Sequence, residues 1–435
     1  MRIVVLTNLF PPHHAGTYDL RCQSVTEALA LRGHNLLVVT SNHGLNREQC
    51  DGEIHRRLLL NNAFGHPPVT GYRDLQKLET HNHTALKEAI ASFQPDLAFV
   101  WSLHGLSKSL ICTLGNSRLP VVYDMADRWL TEELARDPWL RWWNAPGTNL
   151  LRSSLELAGQ RNRLDALAPT RMDPHRDRIP DVYGALRSET EPAPDSISTF
   201  SFQRVYFCSR SLKESTCRAG FRVSHGEVIY PGIPTQLFVG DVKSSATPVR
   251  RFLVVSTLDD RSGVMTAVQA LSYARRNHAQ ITLSICGRGD SGYISELRSF
   301  VVRTSLPVEF LTVSNQNRDL AAVYRQHDAL LYTAEWDEPF ATRPLEAMAC
   351  GLPVIGARSG GATELFRHGE NAFTYAPGDA VELAARIQEL EMQPVLRRQM
   401  AEVAQAEVHS EYNETAVFDQ IEAYLAASVE IWQQA

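Results

Sequence analysis

The stretch that decides the fold lies between Ala329 and Gly351 and reads Ala-Leu-Leu-Tyr-Thr-Ala-Glu-Trp-Asp-Glu-Pro-Phe-Ala-Thr-Arg-Pro-Leu-Glu-Ala-Met-Ala-Cys-Gly. Its first four residues form an apolar run that predicts a buried strand, and a helix is predicted to begin near Arg343. Thr342 is placed to cap this helix with its hydroxyl, Pro344 falls in the first turn, and Gly351 suits the left-handed end. The stretch therefore predicts a strand, a loop and a helix, the unit from which parallel α/β sheets are built.

Two glutamates flank the predicted helix start, Glu338 in the loop and Glu346 in the first turn. A helix start at the carboxyl end of a strand attracts anions, so a phosphate fits between them. Carboxylates suit sugar hydroxyls, and the pair therefore predicts a clamp for a molecule with phosphate in the middle and a polyol at each end, such as a sugar nucleotide. The alternative left open is that Glu346 only complements the helix dipole and that Glu338 is a solvated loop charge.

The same segment resembles a family pattern. Glu338 and Glu346, with seven residues between them, are followed by Ala-Met-Ala-Cys-Gly-Leu-Pro-Val-Ile-Gly and then, at 360–364, by Gly-Gly-Ala-Thr-Glu. This string is similar to the E-x7-E region of the retaining family 4, or group 1, glycosyltransferases. The resemblance implies that Glu338 contacts the donor sugar and that Glu346 holds the ribose diol. It also implies that backbone groups bind the donor diphosphate in the segment formed by Pro339, Phe340, Ala341 and Thr342.

Length and pattern predict two domains. A chain of 435 residues is too long for one core, and buried strands alternate with helical segments as in doubly wound parallel sheets. The resemblance implies the α/β architecture called GT-B, in which two Rossmann-like domains face each other across a cleft. We expect an acceptor-binding domain at 1–238 with a polar insertion at about 169–198, a nucleotide-sugar-binding domain at 239–412, and a C-terminal helix at 413–435 that returns to the first domain.

The composition is that of an ordinary globular protein, with 44% hydrophobic and 21% charged residues. The net charge of −6 argues against a nucleic-acid partner, which would need a basic surface. The seven cysteines are scattered without a C-x-x-C pair, which indicates reduced thiols rather than a disulfide framework or a zinc site. The sequence shows no signal peptide and no run of about 18 apolar residues. We therefore expect a cytoplasmic protein.

Two loops of the first half carry further candidate residues. The resemblance implies a Gly-Gly pair in the loop before the first helix, where backbone approaches the donor; this chain has Ala15 and Gly16, so only Gly16 carries over. A later loop contains Asp127, and Ala126 stands where many members have a histidine that reaches the reacting sugar. Asp127 is a candidate to accept the acceptor proton or to orient a hydroxyl. The alternative is a carboxylate that only caps its own loop.

His104 and Trp129 are the candidate acceptor contacts. Trp129 opens a segment, 129–151, in which four of the seven tryptophans fall within 15 residues, interleaved with arginines. Tryptophan and arginine together can seat a helix at a lipid surface or line an acceptor groove. Packing on the first sheet is the alternative, and peripheral contact of 129–151 with the inner face of a membrane is left open.

The first loop of the second domain departs from the family pattern. The family usually has an arginine and a lysine there that neutralise the donor diphosphate, whereas this chain has Ser-Thr-Leu at 256–258 and Ser-Gly at 262–263. Because a helix dipole contributes only about 0.3 to 2 kcal/mol, another cation is needed. Three arginines are the candidate replacements: Arg261, Arg343 and Arg288. Two glycines of this domain are further candidate donor contacts: Gly263 and Gly287.

Together these features predict a retaining glycosyltransferase. It would move a hexosyl group from a nucleotide diphosphate sugar to the hydroxyl of a sugar, lipid-linked or small-molecule acceptor, in polysaccharide, glycolipid or glycoside biosynthesis. No D-x-D triplet occurs, so neither a metal site nor a cofactor is expected. Because the usual cations are missing, a non-catalytic GT-B scaffold or sugar-nucleotide-binding subunit is one alternative. A sugar-nucleotide epimerase of related fold is the other.

Overall fold

The computed structural model describes residues 1–133, 137, 202–275, 280–311 and 317–434. The predicted insertion at 169–198 and the tryptophans at 139, 142 and 143 lie outside the described residues, as does most of 129–151. The chain divides into two compact units. The first comprises Met1–Cys208, Leu212–Ile229 and Gln420–Ala435, and the second comprises Ser209–Ser211 and Tyr230–Asp419. The domain boundaries drawn from the sequence, after 238 and 412, stay predictions.

The first unit is built on an eight-stranded sheet. Its strands are β1 (Arg2–Leu6), β2 (Asn35–Ser41), β3 (Gln49–Asp51), β4 (Ile54–Leu58), β5 (Leu97–Val100), β6 (Val121–Met125), β7 (Arg204–Phe207) and β8 (Glu227–Val228). Their order is β3-β4-β2-β1-β5-β6-β7-β8, and every pair is parallel except β3 with β4. The central strands β1 and β5 are buried along their length apart from Arg2, as expected for a parallel sheet with helices on both faces.

Helices connect these strands. They are α1 (Thr17–Leu31), α2 (Tyr72–Phe93), α3 (Leu110–Gly115) and α4 (Arg210–Arg218), with a π-helical turn at Trp129–Glu133. Helix α1 ends at Leu31, and Gly33, two residues later, has a φ of 88° that suits the left-handed end of a helix.

The second unit is built on a six-stranded sheet. Its strands are β9 (Arg251–Val255), β10 (Thr282–Cys286), β11 (Val308–Leu311), β12 (Ala329–Tyr332), β13 (Val354–Ala357) and β14 (Phe373–Tyr375). All pairs are parallel, in the order β11-β10-β9-β12-β13-β14. The strand predicted at 329–332 is β12, and all four of its residues are buried.

Eight further helices are described. They are α5 (Val264–Ala274), α6 (Ser291–Thr304), α7 (Asn317–Gln326), α8 (Thr342–Ala349), α9 (Ala362–Leu365), α10 (Ala380–Met392), α11 (Pro394–Glu411) and α12 (Glu414–Gln434). Helix α10 packs against α5, and α11 packs against α8. Among the residues that the structure describes, no helix is both long and apolar enough to cross a lipid bilayer.

The order of the second sheet places a topological switch point where the site is expected. Strand β9 lies between β10 and β12. The chain runs from β9 outward to β10 and β11, and then returns to β12 on the other side of β9. In open α/β sheets, ligands bind outside the carboxyl ends of the strands at such a reversal. The loops that follow β9 and β12 therefore meet at the switch point of the second unit. Both units are doubly wound sheets, which confirms the predicted α/β class.

Gly263 fixes the contact between these two loops. Its φ is 65°, and a Cβ at this position would overlap the carbonyl oxygen of Thr333. The contact therefore needs a residue that has no side chain and that tolerates a positive φ, which is glycine.

We predict that Gly263→Ala lowers the stability of the second unit by about 2 kcal/mol or more, because a strained φ and a steric overlap add together. Thermal unfolding followed by calorimetry measures the change. The matched control is Gly16→Ala, since Gly16 has an extended φ of −161° and the added methyl group would have no atom within 4 Å of it among the described residues. Equal melting temperatures for the two variants would contradict the prediction.

Candidate functional site

The centre of the candidate site is the start of α8, which follows β12 through the loop 333–341. The residue before the helix is Ala341, and none of the described side chains caps the helix there. Thr342 is itself the first helical residue, so the prediction that its hydroxyl caps the helix is wrong. The first turn of α8 therefore lacks the side-chain acceptor that commonly satisfies its N–H groups. Gly351 follows the helix with a φ of 76°, as predicted.

Glu338 lies half-buried in this loop. Its Oε2 accepts a hydrogen bond from the Tyr332 hydroxyl at 2.5 Å. Burial raises the pKa of Glu338, while the hydrogen bond from Tyr332 and the positive charge of Arg343 oppose the rise. Among the residues that the structure describes, Oε1 of Glu338 has no hydrogen-bond partner, which leaves it able to accept a hydrogen bond from a ligand.

Glu346 is more deeply buried, at 5% exposure. Nη1 of Arg343 donates to both carboxylate oxygens at 2.9 Å, and the Tyr324 hydroxyl donates to Oε2 at 2.8 Å. The negative charge of Glu346 is the main cause that raises the pKa of the Arg343 guanidinium. These partners hold the Glu346 carboxylate in one orientation.

Arg343, one of the arginines predicted to balance the charge of the donor diphosphate, lies in the first turn of α8. Its side chain is 34% exposed, so its guanidinium can still reach a ligand. Part of its charge is already balanced by Glu346, however, and this internal pairing was not anticipated from the sequence.

Glycines bring the neighbouring loops against the loop that carries Glu338. Gly360, after β13, has a φ of 49°, and a Cβ there would overlap the backbone of Glu338. The N–H of Gly361 donates to the Glu338 carbonyl at 2.8 Å. Gly287, after β10, packs equally closely on the carbonyl of Ser256. Backbone contacts therefore fix the loops at the carboxyl ends of β9, β10, β12 and β13.

Arg261 lies beside the same loop but is more exposed. Its guanidinium carbon is 4.9 Å from the centroid of the Trp336 ring, and its carbonyl accepts from the N–H of Glu335 at 2.9 Å. The Arg261 side chain is 66% exposed, with Asp259 at 3.9 Å. The third arginine considered from the sequence, Arg288, is exposed after β10.

The side chain of Phe340 points into the core of its unit. The ring is buried and lies 5.6 Å from the ring of Tyr230 and 6.2 Å from that of Tyr412. The buried ring of Phe340 holds the segment that precedes α8 in place. Because the side chain is in the core, only the backbone of Phe340 can contact a ligand.

Gly16, in the first unit, precedes α1. The Oδ2 of Asp19 accepts hydrogen bonds from the N–H groups of Ala15, at 2.8 Å, and of Gly16, at 3.2 Å. A side chain of the helix itself therefore occupies these donors, whereas the resemblance implied that they approach a ligand. The role of Gly16 in donor binding stays a prediction.

Asp127 follows β6 and is held at both oxygens. Oδ2 accepts from the Ser102 hydroxyl at 2.6 Å, and Oδ1 accepts from the N–H of Trp129 at 3.2 Å. Burial raises the pKa of Asp127 to about 6, and these hydrogen bonds limit the rise. A carboxylate with a raised pKa is better suited to accept a proton than an ordinary aspartate.

His104 pairs with a residue that sequence reasoning did not identify. Its Nδ1 contacts the Glu133 carboxylate, and burial is the main cause that lowers the pKa of the ring. The buried Nζ of Lys108 donates to the same carboxylate at 3.0 Å and to the carbonyl of Leu103 at 2.6 Å. Burial lowers the pKa of Lys108 to about 8. Lys108 and Glu133 together fix the loop that carries His104.

Trp129 is 2% exposed, so its ring belongs to the core of the first unit. This burial disfavours the prediction that the ring contacts an acceptor, which stays untested.

Four important residues were not found from the sequence. Tyr324 and Tyr332 hold the two glutamates, but nothing local links Tyr324 on α7 to Glu346 on α8. Only a weak sequence signal indicated that Lys108 is buried, since it is a lone lysine among small and apolar residues after a buried strand. Glu133 carried none.

Comparison with known proteins finds a family match within the second unit. Residues 242–407 match the family model described as Glycosyl transferases group 1. The chain is 29% identical over 251 residues to a glycogen synthase of Mycobacterium tuberculosis, an alignment that covers 57% of this chain and 59% of that protein. The chain thus spans less than two thirds of the length of this relative.

Two solved structures share the fold over almost the whole chain. The structure of HepE from Anabaena in complex with UDP and glucose has a TM-score of 0.63 and 21% identity, covering 98% of this chain and 99% of that one. A sucrose-phosphate synthase from Thermosynechococcus elongatus has a TM-score of 0.64 and 18% identity, covering 97% of each chain. The predicted pair of Rossmann-like units is the GT-B fold, and the segment at 242–407 is similar to the group 1 glycosyltransferases.

Proposed function

We propose that this protein transfers a hexosyl group from a nucleotide diphosphate sugar to an acceptor hydroxyl, with retention of the anomeric configuration and without a bound metal ion. The observation that carries the proposal is the pair Glu338 and Glu346 on either side of the start of α8. One carboxylate has an oxygen without a partner in the described part of the chain, and the other is fixed by an arginine that remains partly exposed.

The charges of this site suit departure of a diphosphate. Negative charge builds on the leaving phosphate while the sugar becomes cationic, so donors already aligned with the phosphate lower the barrier. The first-turn N–H groups of α8 and the guanidinium of Arg343 supply such donors in the second unit. In this proposal they take the place of a metal ion, and Glu338 holds the sugar ring.

The relatives indicate which donors to test first. HepE was crystallised with UDP and glucose, and the other two similar proteins are a glycogen synthase and a sucrose-phosphate synthase. A hexose carried by UDP is therefore the first candidate donor, followed by GDP- and ADP-linked hexoses. The acceptor is proposed only as a hydroxyl of a sugar, a lipid-linked molecule or a small molecule.

A donor screen tests the function. The purified chain is incubated with UDP-, GDP- and ADP-hexoses, with and without a set of sugar and small-molecule hydroxyl acceptors. Release of nucleoside diphosphate is followed by mass spectrometry, and EDTA is added in a parallel series. We expect release from one donor, unchanged by EDTA, and a product whose anomeric configuration matches the donor by NMR. Binding without release would favour the scaffold alternative, and a changed hexose formed without acceptor would favour an epimerase.

We predict that Glu338→Ala lowers the transfer rate by at least about 100-fold, because the variant loses the carboxylate that holds the sugar in the transition state. The melting temperature should change little, since Glu338 lies in a loop. Glu402→Ala, an exposed glutamate of α11, is the control and should keep the wild-type rate. Transfer at a near wild-type rate by Glu338→Ala would show that the assignment is wrong.

We predict that Arg343→Ala raises the donor KM about tenfold, because the variant loses a charge-assisted hydrogen bond to a phosphate and also the arginine that holds Glu346. Arg261→Ala should have a smaller effect, because the Arg261 side chain is mostly exposed. Arg298→Ala, on α6, serves as the control for loss of a surface arginine. If neither the Arg343 nor the Arg261 variant changes the donor KM, the compensating charge lies elsewhere.

We predict that the wild-type rate falls below about pH 6, because Asp127 becomes protonated there and can no longer accept a proton. In Asp127→Asn the rate should be low throughout and should not fall further between about pH 5 and 6. Measurement of kcat/KM against pH for both proteins tests this. If kcat/KM of Asp127→Asn still falls at low pH as it does in the wild type, another group is responsible for that fall.

A further inference from the structure

Each glutamate of the candidate site is held by a tyrosine from a neighbouring element of the second unit. The Tyr332 hydroxyl, at the end of β12, donates to Oε2 of Glu338 at 2.5 Å. The Tyr324 hydroxyl, on α7, donates to Oε2 of Glu346 at 2.8 Å. The two contacts are alike in chemistry, although their tyrosines come from a strand in one case and from a helix in the other.

Each tyrosine hydroxyl donates its hydrogen bond to its glutamate and does not accept one from it. The rings of Tyr324 and Tyr332 are buried, so neither hydroxyl can exchange its carboxylate partner for bulk water. Burial is the main cause that raises the pKa of both phenols well above their ordinary value, and the adjacent glutamates add to the rise. The phenols therefore stay protonated at neutral pH. Because an ionised carboxylate only accepts hydrogen bonds, the direction of each bond is fixed.

This arrangement leaves defined oxygens for a ligand. At Glu338, Tyr332 anchors Oε2, and Oε1 has no partner among the described residues. At Glu346, Arg343 contacts both oxygens, whereas Tyr324 contacts only Oε2, which makes Oε1 the less occupied oxygen. Anchoring one oxygen of a carboxylate limits rotation about its last bond and so fixes the position of the other.

We propose that Tyr332 and Tyr324 are positioning residues, which aim Glu338 at the sugar and Glu346 at the ribose of the donor. This inference rests on the proposed function, because it takes the two ends of a nucleotide sugar as the groups that the glutamates meet. Neither tyrosine contacts the donor; each acts through its glutamate.

The inference makes the two tyrosines differ in a measurable way. Loss of the Tyr332 hydroxyl should affect steps that involve the sugar and leave binding of a sugar-free nucleoside diphosphate unchanged. Loss of the Tyr324 hydroxyl should weaken binding of the nucleoside diphosphate itself. Substitution by phenylalanine keeps the ring in the core and removes only the hydroxyl, so packing is preserved in both variants.

Tyr375 provides a matched control within the same sheet. Its ring is fully buried on β14, and its hydroxyl donates to the backbone carbonyl of Tyr332 at 3.5 Å rather than to either glutamate. Tyr375→Phe therefore removes a buried phenol hydroxyl from the same unit without removing a glutamate contact.

The experiment compares Tyr332→Phe, Tyr324→Phe and Tyr375→Phe with the wild type. Affinities for UDP, GDP and ADP are measured by calorimetry, and transfer is measured with the donor that the screen identifies. For the nucleoside diphosphate that binds the wild type best, we expect Tyr324→Phe to weaken affinity about tenfold and Tyr332→Phe to leave it unchanged. Tyr332→Phe should lower kcat about tenfold, and should cause no further loss when combined with Glu338→Ala. Tyr375→Phe should match the wild type.

Two results would overturn the inference. One is wild-type kcat in Tyr332→Phe together with wild-type nucleotide affinity in Tyr324→Phe. The other is an equal loss in all three variants with lowered melting temperatures, which would assign the tyrosines a purely structural role. If either Tyr332→Phe or Tyr324→Phe fails to fold, the measurement on the other variant decides whether the inference holds. If the wild type transfers no sugar, the proposed function fails, whereas the affinity arm at Tyr324 still tests how Glu346 is positioned.

Discussion

The second unit depends on how it accommodates the negative charge of Glu346 in its interior. A buried carboxylate is tolerated only when charged or hydrogen-bonding groups replace the water that it loses. Arg343 can replace that water because it lies three residues before Glu346 on α8, and side chains three residues apart lie on the same face of a helix. Tyr324 can do so because α7 packs against α8. The helix start is thereby organised around a carboxylate before any ligand arrives.

The rest of the site is fixed by backbone rather than by side chains. Gly263 brings the loop after β9 onto the carbonyl of Thr333, and Gly360 brings the loop after β13 onto the backbone of Glu338. The loop that carries Glu338 is thus held from both sides, even though it is neither helix nor strand. Such support gives a loop the precision that sites usually gain from regular elements.

The sequence predicted features that depend on neighbouring residues and missed those that depend on distant ones. Buried apolar runs located β12, and Gly351 located the end of α8, because strands and helix ends leave local patterns. The capping role given to Thr342 was wrong because the helix begins one residue earlier than expected. Tyr324 could not be read from spacing as a partner of Glu346, since it lies on another helix and reaches the carboxylate only through the packing of α7 on α8. Tyr332 is only six residues from Glu338, but the irregular loop between them gives no periodic signal of the contact. The burial of Trp129 was equally invisible, because a tryptophan-rich segment has the same composition whether it lies in a core or on a surface.

The two sheets also present chemically unequal helix starts. At α1, the carboxylate of Asp19 accepts from the N–H groups of Ala15 and Gly16, so this helix neutralises its own positive end and places a negative charge there. At α8 none of the described side chains does so. The N–H groups just before α1 are therefore already occupied by a carboxylate, whereas those at the start of α8 have no such partner among the described side chains. Two units built on the same kind of sheet thus differ in whether a carboxylate already lies at the start of the helix.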